Sequence, residues 1–239
     1  ILSKQGKRLS NIDAHDIICK IGDVVVMGGV RRSALISLSD LDDPEMRDAK
    51  KGAFYAKEPQ RALANNSAVY IEKPSATEFM EEWLALAQSG SGERGIFNRG
   101  GLKKQLPERR WRVFERDWET AGTNPCGEII LKSREFCNLS EVVCRAEDTE
   151  ETLIKKTRLA TILGTYQSTL TNFPYLSKEW QRNCNEERLL GVSLTGQWDS
   201  PAVRNTETLR KMKEEAIRTN KEYAKRFGVN ESTCITCVK

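Results

Sequence analysis

Apolar and polar positions along the chain alternate between two periods. SALISLSD (33–40), SAVYIEKP (67–74) and RLLGVSLTGQ (188–197) carry short β-branched or leucine-rich runs bounded by turn residues. They read as strands. DVVVMGG (23–29) and CITCV (234–238) read the same way, the second as a buried strand, and GSGERGIFNRGG (90–101) reads as loop, short strand, loop. Helical periodicity appears in three other stretches. After Pro74, Ser75 and Glu78 form a capping-box pattern, Phe79, Trp83 and Leu86 or Ala87 share one face, and Gly90 can end the helix. Residues 149–172 place Leu159, Ile162, Leu163, Tyr166 and Leu170 on one stripe before Pro174. Residues 206–227 do so with Leu209, Met212, Ala216, Tyr223 and Phe227, and Gly228 follows.

Segment 40–60 is polar and loop-rich, and ERRWRVFERDWE (108–119) is charged and ambiguous. Strands alternating with long helices imply an α/β architecture with parallel strands. No internal repeat, linker or clear domain boundary interrupts residues 1–239.

Composition narrows the function classes. The chain has 239 residues, 38% hydrophobic and 30% charged, which suits a soluble globular protein. No apolar run approaches the roughly 18 residues that span a bilayer, and the scattered apolar residues of the first segment do not form a signal peptide. Membrane attachment is not expected. The 38 basic and 34 acidic residues leave a net charge of +4, without the basic runs and interleaved aromatics of a nucleic-acid binder. Gly28, Gly29, Arg31 and Arg32 suit a tight bend that is either a solvated turn or an anion contact.

Seven irregularly spaced cysteines argue against a secreted disulfide framework and for a reducing cytoplasm. With one histidine, His15, in a polar segment and read as a surface residue, no Cys/His metal site is expected. Cys19, Cys144 and Cys184 read as structural. Cys234 and Cys237 form a CxxC in a strand-like run, where positions three apart face opposite ways. That disfavours a thiol oxidoreductase built on them.

TNPCGEIILKSREFCNLSEVV (123–143) differs. Were TNPCGEI extended, Asn124, Cys126 and Glu128 would share one face: an amide, a thiol and a carboxylate. Pro125 fixes φ, and Gly127 leaves room for a close approach. An amide can bind a hydroxyl and a carboxylate can take its proton. An anionic neighbour opposes thiolate formation, so hydrogen-atom chemistry suits the trio better than ionic nucleophilic chemistry. By physics alone, an active-site tip and a turn with an incidental cysteine remain equally open.

TNPCGEIIL followed by EFCNLSEVV resembles the active-site segment of ribonucleotide reductases, in particular the adenosylcobalamin-dependent class. GDVVVMGGVRRSALISL, ANNSAVYIEKP, GERGIFNR, RLLGVSLTGQWD and NESTCITCVK fit the same family. EIIL and FCNLSEVV look most like its monomeric branch, which reduces ribonucleoside triphosphates. The resemblance implies an α/β fold that is part of a ten-stranded α/β barrel of the ribonucleotide reductase type, with the catalytic finger loop. It makes 1–239 a partial catalytic barrel domain.

In that reading Cys126 is the thiyl radical site that takes hydrogen from ribose C3′. Glu128 removes the 3′-hydroxyl proton, and Asn124 holds the sugar hydroxyls. Cys137 is one of two thiols that form a disulfide as the 2′-hydroxyl leaves as water. Its partner is expected upstream of Ile1, and a phosphate-binding turn and the cobalamin contacts downstream of Lys239. The implied cofactor is adenosylcobalamin, and the implied reductant is thioredoxin or a similar dithiol. A deoxynucleotide effector is implied too, with Gln60, Arg61 and Asn65 of PQRALANNSA (59–68) in the loop that relays its message. The full-length enzyme is expected in the cytoplasm as a monomer, and this chain alone is expected to be inactive. The alternatives are a diphosphate reductase large subunit with a separate radical subunit, and a non-catalytic nucleotide-binding relative.

Overall fold

The computed structural model describes residues 4–24 and 33–236. The chain divides into two compact units, one of residues 1–105 and 122–127, the other of 106–121 and 128–239.

Unit one begins with α1 (Asn11–Asp23), capped by Ser10 in a capping box with Asp13. This helix takes up the polar segment around His15. His15 is buried, at 6% exposure, and not a surface residue. It lies one turn from Cys19, whose Sγ is 3.5 Å from His15 Nε2, so both occupy the inward face. The strand expected over 23–29 starts as helix, since Asp23 ends α1 and Val24 caps it. Its remainder, with Gly28, Gly29, Arg31 and Arg32, lies outside the described residues.

Next come β1 (Leu35–Asp40), α2 (Pro44–Arg47), α3 (Phe54–Lys57) and a 3-10 turn (Pro59–Leu63). The loop-rich segment thus carries short helices, the first capped by the Asp43 side chain. β2 (Ala64–Tyr70), α4 (Ala76–Ser89), β3 (Gly95–Asn98), α5 (Leu102–Gln105) and β4 (Gly122–Thr123) complete the unit. β1, β2 and β3 form a parallel sheet in that order, registered Leu35↔Ala64 and Ser67↔Gly95.

The capping box of Ser75 and Glu78 and the Gly90 end of α4 form as the sequence implies. The buried stripe does not. Phe79 and Trp83 are exposed, and Glu82, Ala85, Leu86 and Ser89 turn inward. Arg94 explains the rotation. Its guanidinium is buried and needs a counter-ion, which Glu82 supplies through contacts of 3.0 and 2.9 Å.

Unit two comprises α6 (Glu108–Phe114), β5 (Ile130–Leu131), β6 (Asn138–Val143), α7 (Glu150–Gln167), α8 (Lys178–Glu187), β7 (Leu190–Thr195), α9 (Thr206–Phe227) and β8 (Ile235–Thr236). β6, β7 and β8 form a second parallel sheet, registered Asn138↔Leu190 and Leu190↔Ile235. Central β7 is buried from Leu190 to Leu194, as its continuous apolar run requires. Gly196 ends it at φ +74°, where a Cβ would lie 2.3 Å from the Cys144 carbonyl oxygen. Val142, Leu153, Leu190, Val192, Met212 and Ala216 share one core.

α9 follows its expected stripe at Met212 and Ala216, while Phe227 stays 37% exposed at the helix end. α7 ends at Gln167, short of 172, and inverts its expected face. Leu159, Leu163, Tyr166 and Leu170 are exposed, and Ile162 is half-buried. Leu153, Thr157, Ala160, Thr161, Gly164 and Thr165 face inward. Close packing is the cause. A Cβ on Gly164 would already meet Ser140 Oγ at 3.4 Å. The threonines hide their hydroxyls by donating to the carbonyls one turn back, as Thr161 and Thr165 do at 2.7 Å.

Candidate active site

TNPCGE is not extended. Gly127 N–H donates to the Asn124 carbonyl at 2.9 Å, closing a β-turn with Pro125 and Cys126 at its two central positions. Gly127 follows at φ +84°, with nothing within 4 Å of where a Cβ would stand. Strand alternation therefore does not place Asn124, Cys126 and Glu128 on one face. The turn instead puts Cys126 at its tip, exposed, with Asn124 half-buried at its base. Proline at the second turn position, with its φ preset, favours this over an extended run.

The turn belongs to unit one, and one of its supports comes from β2. Asn65 Nδ2 donates to the Pro125 carbonyl at 2.6 Å. Gln60 and Arg61 lie elsewhere in that unit. Arg61 grips the Asp16 carboxylate with Nε and Nη2, both at 2.6 Å, and Gln60 reaches the same carboxylate at 3.3 Å. The three effector-loop candidates thus divide between a tie to α1 and a tie to the thiol turn.

Glu128 and Cys137 belong to unit two. Glu128 Oε2 is buried without a hydrogen-bond partner among the described residues. A buried carboxylate oxygen left open is costly unless something polar arrives, so this atom is suited to receive a ligand's hydroxyl. Cys137 is half-buried, and burial pushes its thiol up to about 11. The negative charges of Glu128 and Glu135 add to that shift. Cys137 is thus held as a neutral thiol at ordinary pH.

Cys19, Cys144 and Cys184 are buried, as structural cysteines would be. Cys234 is half-buried, and Cys237 lies outside the described residues. Among the described residues, no group of His, Cys, Asp and Glu could hold a metal ion, and no helix is long and apolar enough to cross a membrane.

Known proteins share this arrangement of sequence. The chain is 28% identical over 279 aligned residues to the adenosylcobalamin-dependent ribonucleoside-triphosphate reductase of Lactobacillus leichmannii, covering 99% of this chain and 35% of that protein. It is 32% identical over 206 residues to the reductase of the same name from Lacticaseibacillus paracasei, covering 81% and 25%. The chain is homologous to adenosylcobalamin-dependent ribonucleoside-triphosphate reductases. It spans about a third or less of the length of these reductases. The crystal structure of a B12-dependent, class II ribonucleotide reductase matches 98% of this chain and 35% of its own, with a TM-score of 0.67 at 24% identity. That likeness establishes a shared α/β fold. No protein-family model matches the chain.

Two features of this reductase homologue escape a linear reading. Asn65 supports the thiol turn from 60 residues away, and nothing in ANNSA announces that partner. The second is a buried ionic cluster beside Cys137. Arg110 Nε donates to Glu187 Oε2 at 2.9 Å and lies 3.6 Å from Glu135, while Lys132 lies 3.3 Å from Glu187. Its only trace in the sequence is a set of charges two to five residues before the cysteine.

Proposed function

We propose that this chain is the catalytic portion of a ribonucleotide reductase acting on ribonucleoside triphosphates, with adenosylcobalamin as cofactor. The observation that carries the reading is the Asn-Pro-Cys-Gly turn, which presents Cys126 at an exposed tip. A radical-forming cofactor needs an accessible thiol, and the open space beside Gly127 leaves room for a bulky group. Cys126 would face that group. When bound, adenosylcobalamin supplies a cobalt–carbon bond that breaks homolytically. The two parallel sheets would be parts of the family's ten-stranded barrel.

In this mechanism the Cys126 sulfur radical takes the C3′ hydrogen atom, forming S–H and a C3′ radical. Asn124 holds the sugar hydroxyls, and the open Oε2 of Glu128 accepts the 3′-hydroxyl proton. The C2′–O bond breaks, and the oxygen leaves as water. Cys137 and a second thiol supply two electrons and two protons, so a C2′–H bond and an S–S bond form together. Glu128 then returns its proton to the 3′-oxygen, and Cys126 its hydrogen atom to C3′. A thioredoxin-like dithiol restores Cys137 by exchange. Asn65, as part of an effector-responsive strand, would pass its position directly to the Pro125 carbonyl.

The test is Cys126→Ser in the full-length parent enzyme. Turnover is expected to fall roughly a thousandfold or more, because the hydroxyl cannot form a comparable radical. Adenosylcobalamin-dependent tritium exchange from the cofactor into water should vanish as well. Unchanged turnover would sink the radical reading. Turnover that needs a metal-containing second subunit instead of the cofactor would favour the diphosphate class. The isolated chain should show no nucleotide reduction.

A further inference from the structure

Among the described residues, the start of β2 has a strand on one edge only. β1 pairs with it from Ala64 onward, whereas β3 joins at Ser67, opposite Gly95. Backbone groups two residues apart in a strand point to the same edge. Ala64 and Asn66 therefore turn theirs to one side, and Asn65 turns its own to the other. Two side chains serve the edge that β3 leaves open. Lys50, from the turn between α2 and α3, donates its Nζ to the Ala64 carbonyl. Glu93, two residues before β3, accepts the Asn66 N–H on Oε2 at 2.5 Å. The two also meet each other, with Lys50 Nζ 2.8 Å from Glu93 Oε1. Their side chains are 7% and 19% exposed.

Glu93 is itself held in place. The next residue, Arg94, donates to Ser39 Oγ and to the Asp40 and Leu41 carbonyls at 2.9, 2.9 and 2.8 Å. It also pairs with Glu82 of α4. The chain at Glu93 is thereby moored to the end of β1 and to α4.

Between the two clamped residues sits Asn65, whose Nδ2 holds the Pro125 carbonyl at 2.6 Å. Pro125 directly precedes Cys126. Contacts thus run from Lys50 and Glu93, through the backbone of β2, to the carbonyl beside the thiol, and every link lies in unit one. A buried ion pair is weak evidence for stability, because leaving water costs about as much as the mutual attraction gains. This one supplies geometry: each partner also grips a backbone group flanking Asn65.

We infer that Lys50 and Glu93 are positioning residues for Cys126: their ion pair sets the start of β2, and Asn65 carries that setting to the thiol turn. The inference rests on the reading of Cys126 as the radical thiol. A reacting group misplaced by about 1 Å can lose roughly a hundredfold in rate. A thiol at an exposed turn tip therefore needs an anchor in the folded body, and the pair provides it.

The experiment is a double-mutant cycle in the full-length parent enzyme with Glu93→Gln and Asn65→Ala. Gln keeps an acceptor for the Asn66 N–H but removes the charge that Lys50 meets. Each substitution alone should lower turnover several-fold. Together they should do no worse than the stronger one alone, because Glu93 acts through Asn65. Effects that multiply in the double variant would overturn the inference. If Lys50 without its counter-ion prevents folding, Lys50→Met combined with Glu93→Gln removes both charges and takes the place of Glu93→Gln in the cycle. A second readout needs no turnover. A nitroxide attached to Cys126 of the full chain, its site confirmed by peptide mass mapping, reports motion of the turn. Its spectrum should sharpen equally in Asn65→Ala, in Glu93→Gln and in the double variant. A Glu93→Gln spectrum identical to the wild type would also overturn the inference. Unchanged turnover of a Cys126→Ser parent enzyme would remove the radical reading and leave the nitroxide result intact.

Discussion

At the scale of residues, the chemistry is concentrated in side chains whose roles depend on backbone geometry. TNPCG carries the information for a turn, because Pro125 presets one torsion and Gly127 accepts a positive one. The cysteine's identity is legible in the sequence; its place at an exposed tip is not. The Asn65 amide gives that tip a measurable support. Asn65→Ala removes one hydrogen bond, worth about 0.5–1.5 kcal/mol. Turnover of the parent enzyme is expected to fall several-fold while the denaturation midpoint drops only slightly, because Asn65 and its bond are exposed. Equal turnover in the variant would show that the turn holds its shape without it.

At the scale of elements, caps and lengths agree with the sequence better than faces do. Ser75 and Gly90 bound α4 and Gly228 ends α9, because these signals act within a turn of the backbone, whereas α7 stops at Gln167, well short of Pro174. The faces of α4 and α7 answer to distant partners instead. Arg94 draws Glu82 inward, and the close approach of β6 favours Gly164 and the threonines of α7 over its leucines. Two substitutions separate these readings of α7. Gly164→Leu should cost roughly 1–3 kcal/mol by overpacking, whereas Leu163→Ser, at 65% exposure, should stay within about 0.5 kcal/mol. Urea denaturation measures both. The reverse order would restore the leucine stripe as the buried face.

At the scale of the whole molecule, buried ionisable groups tie stability to pH. Glu135 is raised from its ordinary value to about 8. The folded state therefore binds its proton more tightly than the unfolded chain does. Its contribution is fully present below the ordinary carboxyl range and is lost as pH rises through about 8. Asp13, held low near 2 by Lys4 and Ser10, acts oppositely, and its small exposed contribution is lost only in strong acid. Urea midpoints measured from pH 5 to 9 should fall more steeply for the wild type than for Glu135→Gln. Parallel curves would mean that Glu135 does not hold its proton. The sequence by itself determined an α/β alternation, the bounds of α4, the end of α9 and the cysteine motif. Each of these follows from interactions among residues within a few positions of one another. Tertiary structure alone decided which helix faces are buried, which amide supports the thiol turn, and which charged groups are buried together near Cys137. Those outcomes depend on groups that only folding brings together, such as Arg110 with Glu187 across 77 positions, where burial makes charge and volume expensive to misplace.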